Sequence, residues 1–192
     1  MNENEIVKRA KKGDRKAFSQ LVNAYSERVY NLASRILRNN EDAEDILQET
    51  FLTVLEKFDT FDGRSSFFTW IYRITTNASL MKLRRKRIVY TEFPDNPDLE
   101  RNIEERAFID WTQNPVNDIQ DKELKSILDK SITELPQIYR TVFILRDLEF
   151  LSIKETSKIL EISEENVKIR LRRARLFLRD KLSNYFEENV KR

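Results

Sequence analysis

Apolar positions recur every three or four residues along most of the chain and nowhere alternate over a useful length, which predicts helices and no strands. Gly13 breaks a first short turn, and Asp14 is placed to cap a long helix carrying Phe18, Leu21, Val22, Tyr25, Val29, Leu32, Ile36 and Leu37. A second helix follows Asn39 and Asn40 and runs to Phe58, with Ala43, Leu47, Phe51, Val54 and Phe58 as its core-facing side. A loop pivoting on Gly63 leads into a third helix, from Ser66 to Arg87, whose Phe67, Ile71 and Ile74 suit a core. These three helices form a first domain. The second begins with a helix at 121–133, continues after Pro136 with one over 137–149, and ends in two helices around a tight turn within 152–182.

That last pair is the most informative stretch. Ser152 and Glu155 make an S-x-x-E capping box for the first of its helices, which turns Ile153, Thr156, Ile159 and Leu160 inward. The turn has no glycine, so Glu161 is expected in a disfavoured backbone conformation. Ser163 is the expected cap of the following helix. There, at 100° per residue, Val167, Leu171, Ala174 and Leu178 fall on one narrow apolar face. Lys168, Arg172, Arg175 and Arg179 fall together on the neighbouring face. An apolar stripe needs a core, and a cationic stripe beside it suits a row of phosphates. This is the layout of a helix-turn-helix, in which the early residues Glu164, Glu165, Asn166, Lys168, Ile169 and Arg172 are able to reach base edges.

Composition narrows the classes. The 192 residues contain no cysteine and no histidine, which excludes disulfides, thiolate sites, His-ligated metals and His-based acid–base catalysis. With 40% hydrophobic and 35% charged residues, two glycines and no membrane-length apolar run or signal-peptide core, the chain reads as a helix-rich cytoplasmic protein. The net charge of +2 hides a partition. Residues 1–91 carry a net +5, residues 92–123 a net −7 and residues 124–192 a net +4. Two basic segments around an acidic one point to nucleic-acid contact at both ends. The acidic segment also holds Pro94, Pro97 and Pro115, so residues 92–121 read as a linker. The fold class is therefore all-α: two small helical domains joined by an acidic linker, the C-terminal one a helix-turn-helix.

Two further stretches carry candidate chemistry. On the second helix, Asp42, Asp45, Glu49 and Glu56 cluster opposite the core side with Leu52 exposed among them. A solvated face is the plain reading; a large apolar residue inside an acidic face favours a protein partner with a basic surface. Paired carboxylates also raise Mg²⁺ or acid–base chemistry, but no phosphate-cradling glycine loop accompanies them. The third helix and its loop are aromatic first and basic last, with Phe61, Phe67, Phe68, Trp70 and Tyr72 preceding the run at 82–87. Trp70 and Tyr72 cannot both share the core face. Exposed aromatics beside Arg64, Arg73 and Lys82 would stack unpaired bases while the cations hold the backbone. Asn77 and the hydroxyls of Thr75, Thr76 and Ser79 are candidates for bonds to base edges or phosphate.

Taken together, DAEDILQETFL, F-x-x-F-x-x-R-S-S-F-F-T-W-I-Y-R-I-T-T-N, LP-x-x-YR-x-VF-x-L-R and NVK-x-RL-x-RAR, in this order, resemble the extracytoplasmic-function (ECF) sigma factors of bacterial RNA polymerase over nearly the whole chain. The resemblance implies sigma region 2 at 1–91 and region 4 at 122–192, with the linker between. It implies a non-enzymatic subunit without cofactor, whose partners are the polymerase core (the clamp helices of its largest subunit, and the flap), promoter DNA and an anti-sigma factor. Asp45, Gln48, Glu49 and Leu52 would meet the clamp. Phe61, Arg64, Ser65, Phe68, Trp70, Tyr72, Arg73 and Asn77 would open the −10 element and hold its single strand. Ser163, Glu165, Asn166, Lys168, Ile169, Arg172, Arg173 and Arg175 would read the −35 element. Met81 departs from the Asp or Asn frequent in the family, and Glu161 from the common turn glycine. A dimeric helix-turn-helix regulator would leave the acidic face, aromatic loop and tether unexplained. A small nuclease would lack its histidines and carboxylate constellation.

Overall fold

The computed structural model describes residues 3–89 and 122–190, with side chains described for 3–85 and 126–183; the expected linker lies outside the described residues. Every regular element among the described residues is helical. Contacts divide the chain into two compact units, one holding residues 1–91 and the other most of 92–192.

In the first unit, α1 (Glu3–Lys11) is a helix of its own where the sequence suggested only a short turn, because Val7 and Ala10 find a buried face. Gly13, at φ 85°, reverses the chain. Asp14 then caps α2 (Arg15–Leu37), its carboxylate accepting from the amides of Lys16 at 2.9 Å and Ala17 at 3.1 Å. The Arg9 guanidinium donates two hydrogen bonds to the same carboxylate. α2 buries Ala17, Leu21, Tyr25, Val29, Leu32, Ala33, Ile36 and Leu37, a stripe at three- and four-residue spacing. The helix stops at Arg38, which is left-handed at φ 61°. Asn39 opens α3 (Asn40–Lys57) by accepting from the Asp42 amide at 2.8 Å. Ser66 caps α4 (Phe67–Val89) through the Thr69 amide. Helices α2, α3 and α4 pack mutually, and Phe58, Phe61, Phe67 and Trp70 close one end of their core as a cluster of rings 5.0–6.0 Å apart.

The second unit comprises α5 (Lys122–Glu134), α6 (Gln137–Phe143), α7 (Ile153–Leu160) and α8 (Glu164–Val190). The helix expected over 137–149 is interrupted: Ile144–Leu148 forms a π turn, closed by the Glu149 amide donating to the Ile144 carbonyl at 2.9 Å. Widening the turn by one residue lets Val142, Phe143, Ile144 and Leu145 all bury. The capping box forms as expected. Ser152 Oγ accepts from the Glu155 amide at 3.1 Å, and Glu155 Oε2 accepts from the Ser152 amide at 2.9 Å. Glu161 has φ 55°, the left-handed conformation the missing glycine would take more cheaply. Ser157 holds that turn by donating to the Ile162 carbonyl at 2.6 Å. Val167, Leu171, Ala174 and Leu178 are all buried, as the helical projection required.

Candidate functional site

The exposed side of α3 carries Glu41, Glu44, Asp45, Gln48, Glu49, Leu52, Leu55 and Glu56. Leu52 and Leu55 are 60% and 59% exposed on a helix whose inner face is fully packed. Leu52 stands where the sequence put it. Leu55 was missed, although it lies three residues further on and so shares the same side. The buried stripe is Ala43, Ile46, Thr50 and Val54, with Leu47 and Phe51 only half-buried. The face is thus rotated from the expected one, and Asp42 leaves the acidic surface for the interior. There its carboxylate meets the Lys82 ammonium of α4 at 3.2 Å, while Asp45, at the surface, meets the same ammonium at 2.7 Å. Burial opposes the charge on Lys82, but its hydrogen bonds to Asp45 and Asp42 outweigh that and raise its pKa. Lys82 is therefore an interhelical bridge rather than an open cation beside the aromatics.

The loop and the start of α4 divide the expected strand-binding residues. Phe61 is buried, edge-on to Phe67 and 5.0 Å from Trp70. Tyr72 is 1% exposed and lies 4.1 Å from Phe68. Neither offers an open ring for a base, which corrects their expected exposure: position 72 shares a second buried stripe of α4 with Thr75, Thr76 and Ser79, at three-, four- and seven-residue spacing. Thr75, Thr76 and Ser79 are likewise fully buried, and Thr75 and Ser79 donate back to the carbonyls of Ile71 and Thr75. The accessible members are Arg64 and Arg73, exposed, and Ser65, Phe68, Trp70 and Asn77, half-buried. Arg64 forms an ion pair with Asp62 at 2.7 Å, and Arg28 lies over the Phe68 ring at 5.9 Å, so cations border the half-open rings. Met81 is 51% exposed and adds an apolar surface, not a polar one.

On α8 the first turns are open. Ser163 caps the helix through the Asn166 amide at 3.1 Å. Glu165, Asn166, Lys168, Ile169 and Arg172 are exposed, with Lys168 and Glu165 paired at 3.5 Å. The later cations are not. Arg175 donates two hydrogen bonds of 2.8 Å to the Asp147 carboxylate at the end of the π turn, and Arg173 donates to the Tyr139 hydroxyl at 3.3 Å. In the free chain both side chains are thus engaged in seating α8 on α6 and the turn after it, and neither is open as the sequence suggested. Arg179 pairs with Asp180. At the far end Lys181 binds Glu134 of α5 at 2.6 Å, and this hydrogen bond holds the Glu134 carboxyl below its ordinary pKa. The cationic stripe therefore contributes its first half to solvent and its second half to the fold. Among the described residues no helix is long and apolar enough to cross a membrane.

The comparisons agree with this layout. Residues 21–88 match the sigma-70 region 2 model and residues 125–178 the sigma-70 region 4 model. The chain is 35% identical over 176 residues to the ECF RNA polymerase sigma factor SigW of Bacillus subtilis, covering 92% of this chain and 94% of that one. It is 33% identical over 174 residues to the ECF RNA polymerase sigma-E factor of Escherichia coli K12, covering 88% of each. Two solved structures share the fold: CnrH in complex with the cytosolic domain of CnrY (TM-score 0.66, 21% identity, 95% of this chain and 97% of that one), and the sigma factor RpoE of Bartonella quintana with the anti-sigma factor NepR (TM-score 0.64, 20% identity, 88% and 98%). The acidic, leucine-bearing helix, the aromatic and basic helix after it and the helix-turn-helix are those of an ECF sigma factor, and the chain belongs to that family of promoter-specific transcription initiation subunits of RNA polymerase.

Proposed function

We propose that the α3 surface of Asp45, Gln48, Glu49, Leu52 and Leu55 docks on the clamp helices of the polymerase's largest subunit. The observation that carries this is the pair of leucines, each more than half exposed, set among carboxylates. Apolar area flanked by one sign of charge suits a partner with a basic rim around an apolar seat. Arg64, Ser65, Phe68, Trp70, Arg73 and Asn77 receive the opened −10 strand, and Ser163, Glu165, Asn166, Lys168, Ile169 and Arg172 address the −35 element. Residues 1–91 and 122–192 act as regions 2 and 4, tied by 92–121, and region 4 also meets the flap. The protein works in the cytoplasm as a binding subunit, without a reaction or cofactor of its own, melting DNA with the binding energy of captured bases. The RpoE neighbour was solved with an anti-sigma factor, and an anti-sigma partner is proposed here too.

The test keeps charge constant. Leu52→Ala with Leu55→Ala lowers affinity for polymerase core by roughly 30-fold or more, the scale of a central apolar anchor. The unfolding midpoint stays nearly unchanged, because both side chains are mostly exposed. Undiminished association would refute the docking surface.

A further inference from the structure

Lys82 stands between the docking face of α3 and the basic end of α4. Its ammonium has three donors. Asp42 takes one from a side chain only 11% exposed, and Asp45 takes another from a side chain 68% exposed. The two carboxylates are therefore unlike: one is fixed in the α3–α4 interface and the other stands open to whatever meets the outer face of α3. The trio carries a net charge of −1. It sits on α4 just before the exposed Arg84 and Arg85, with Leu83 anchored on the core of Ala33, Leu37, Ala43 and Ile46. In the free chain this excess carboxylate opposes a phosphate approaching the basic end of α4.

We propose that Lys82 is a coupling residue: a cationic group of the docked polymerase takes Asp45, and the Lys82 ammonium exchanges that carboxylate for a DNA phosphate while Asp42 keeps it in place. The inference rests on the docking reading of α3. DNA affinity at the basic end of α4 is then low in the free subunit and rises on assembly. By linkage, DNA strengthens polymerase docking by the same factor.

The free-chain arm of the test contains no polymerase, so its outcome is separate from whether α3 docks. The probe is a fluorescein-labelled single-stranded DNA of mixed sequence, titrated with the full chain over a range of salt. Asp45→Asn tightens binding about fivefold at about 0.1 M salt and steepens the log–log salt dependence by about 0.7, the contribution of one added phosphate contact. Glu5→Gln on α1 removes an equal charge elsewhere and changes affinity by less than about twofold. Asp45→Asn with Lys82→Gln returns to the wild-type value. Equal effects of Asp45→Asn and Glu5→Gln, or a gain that survives Lys82→Gln, would overturn the coupling. Lys82→Gln alone supplies the second arm, independent of how Asp45→Asn folds. It weakens DNA binding of the assembled holoenzyme about fivefold and that of the free chain by less than about twofold. Equal losses in both would overturn it.

Discussion

The two long basic helices, α4 and α8, look alike in the sequence and are used in opposite directions. Each combines an apolar stripe with a series of cations. In α8 the N-terminal turns are open, with Asn166, Lys168, Ile169 and Arg172 exposed, and the cations after them are tied to Tyr139 and Asp147. In α4 the N-terminal turns send Phe67, Ile71 and Tyr72 into the core and leave Arg73 exposed, and the remaining cations come at the end, where Lys82 is held by Asp42 and Asp45. The difference teaches that a charge on a helix face is open to a ligand in the free chain only where no partner on a neighbouring element already holds it. For α8 that neighbour is Asp147; for α4 it is α3.

The sharpest way to test this division is on α4, where two aromatics two residues apart have different environments. Tyr72→Ala empties a core position and costs about 4 kcal/mol of stability in denaturant unfolding. Trp70→Ala removes a half-buried ring that packs on Phe58, Phe61 and Phe67 with one side only, costs less stability than Tyr72→Ala, lowers open-complex formation about tenfold or more by loss of base stacking, and leaves duplex binding near wild type. Equal destabilisation by both would mean that Trp70 is a core residue. On α8 the corresponding contrast is Asp147 against Arg172. Asp147→Ala strands the half-buried Arg175 and costs about 2 kcal/mol of stability, between the values for exposed and buried pairs. Arg172→Ala changes stability by less than about 1 kcal/mol, as for an exposed side chain, weakens upstream-element binding and reduces the salt slope by about 1 if its contact is to phosphate.

The smallest effect is on pH. Asp14 has its carboxyl pKa lowered, chiefly by the Ala17 amide and then by Arg9, and Glu134 by Lys181. A carboxyl depressed in the folded state stabilises above its ordinary value, and that stability disappears as pH falls through the folded pKa. Asp14→Asn and Glu134→Gln should each flatten the acid limb of the stability profile, one for each unit. An unaltered acid limb in both variants would contradict the assignment.

Much of this was legible in the sequence where local chemistry decides. The Asp14, Asn39 and Ser163 helix starts, the Ser152–Glu155 box, the strained Glu161 and the α8 apolar stripe are set by residues within a few positions of one another. Leu52 was legible for the same reason. The errors came where the answer depended on another helix. A shift of one residue rotates a helix face by 100°, so Asp42 and Glu49 looked equivalent until Lys82 drew Asp42 inward. Tyr72 and Trp70 were separable in principle, since only one could follow Ile71 into the core, but the pattern did not say which. The partner of Arg175 lies 28 residues away on a π turn that no periodicity announced.

In the proposed function the acidic, leucine-bearing face of α3 holds polymerase and other helical surfaces of the same small subunit hold DNA. The most direct measurement takes Glu49→Arg with Leu52→Arg and determines two affinities on the same preparation, one for polymerase core and one of the free chain for DNA. Core binding is expected to fall by about 100-fold or more while DNA binding of the free chain is retained or slightly strengthened by the added charge. Parallel loss of both, or retention of core binding, would contradict it.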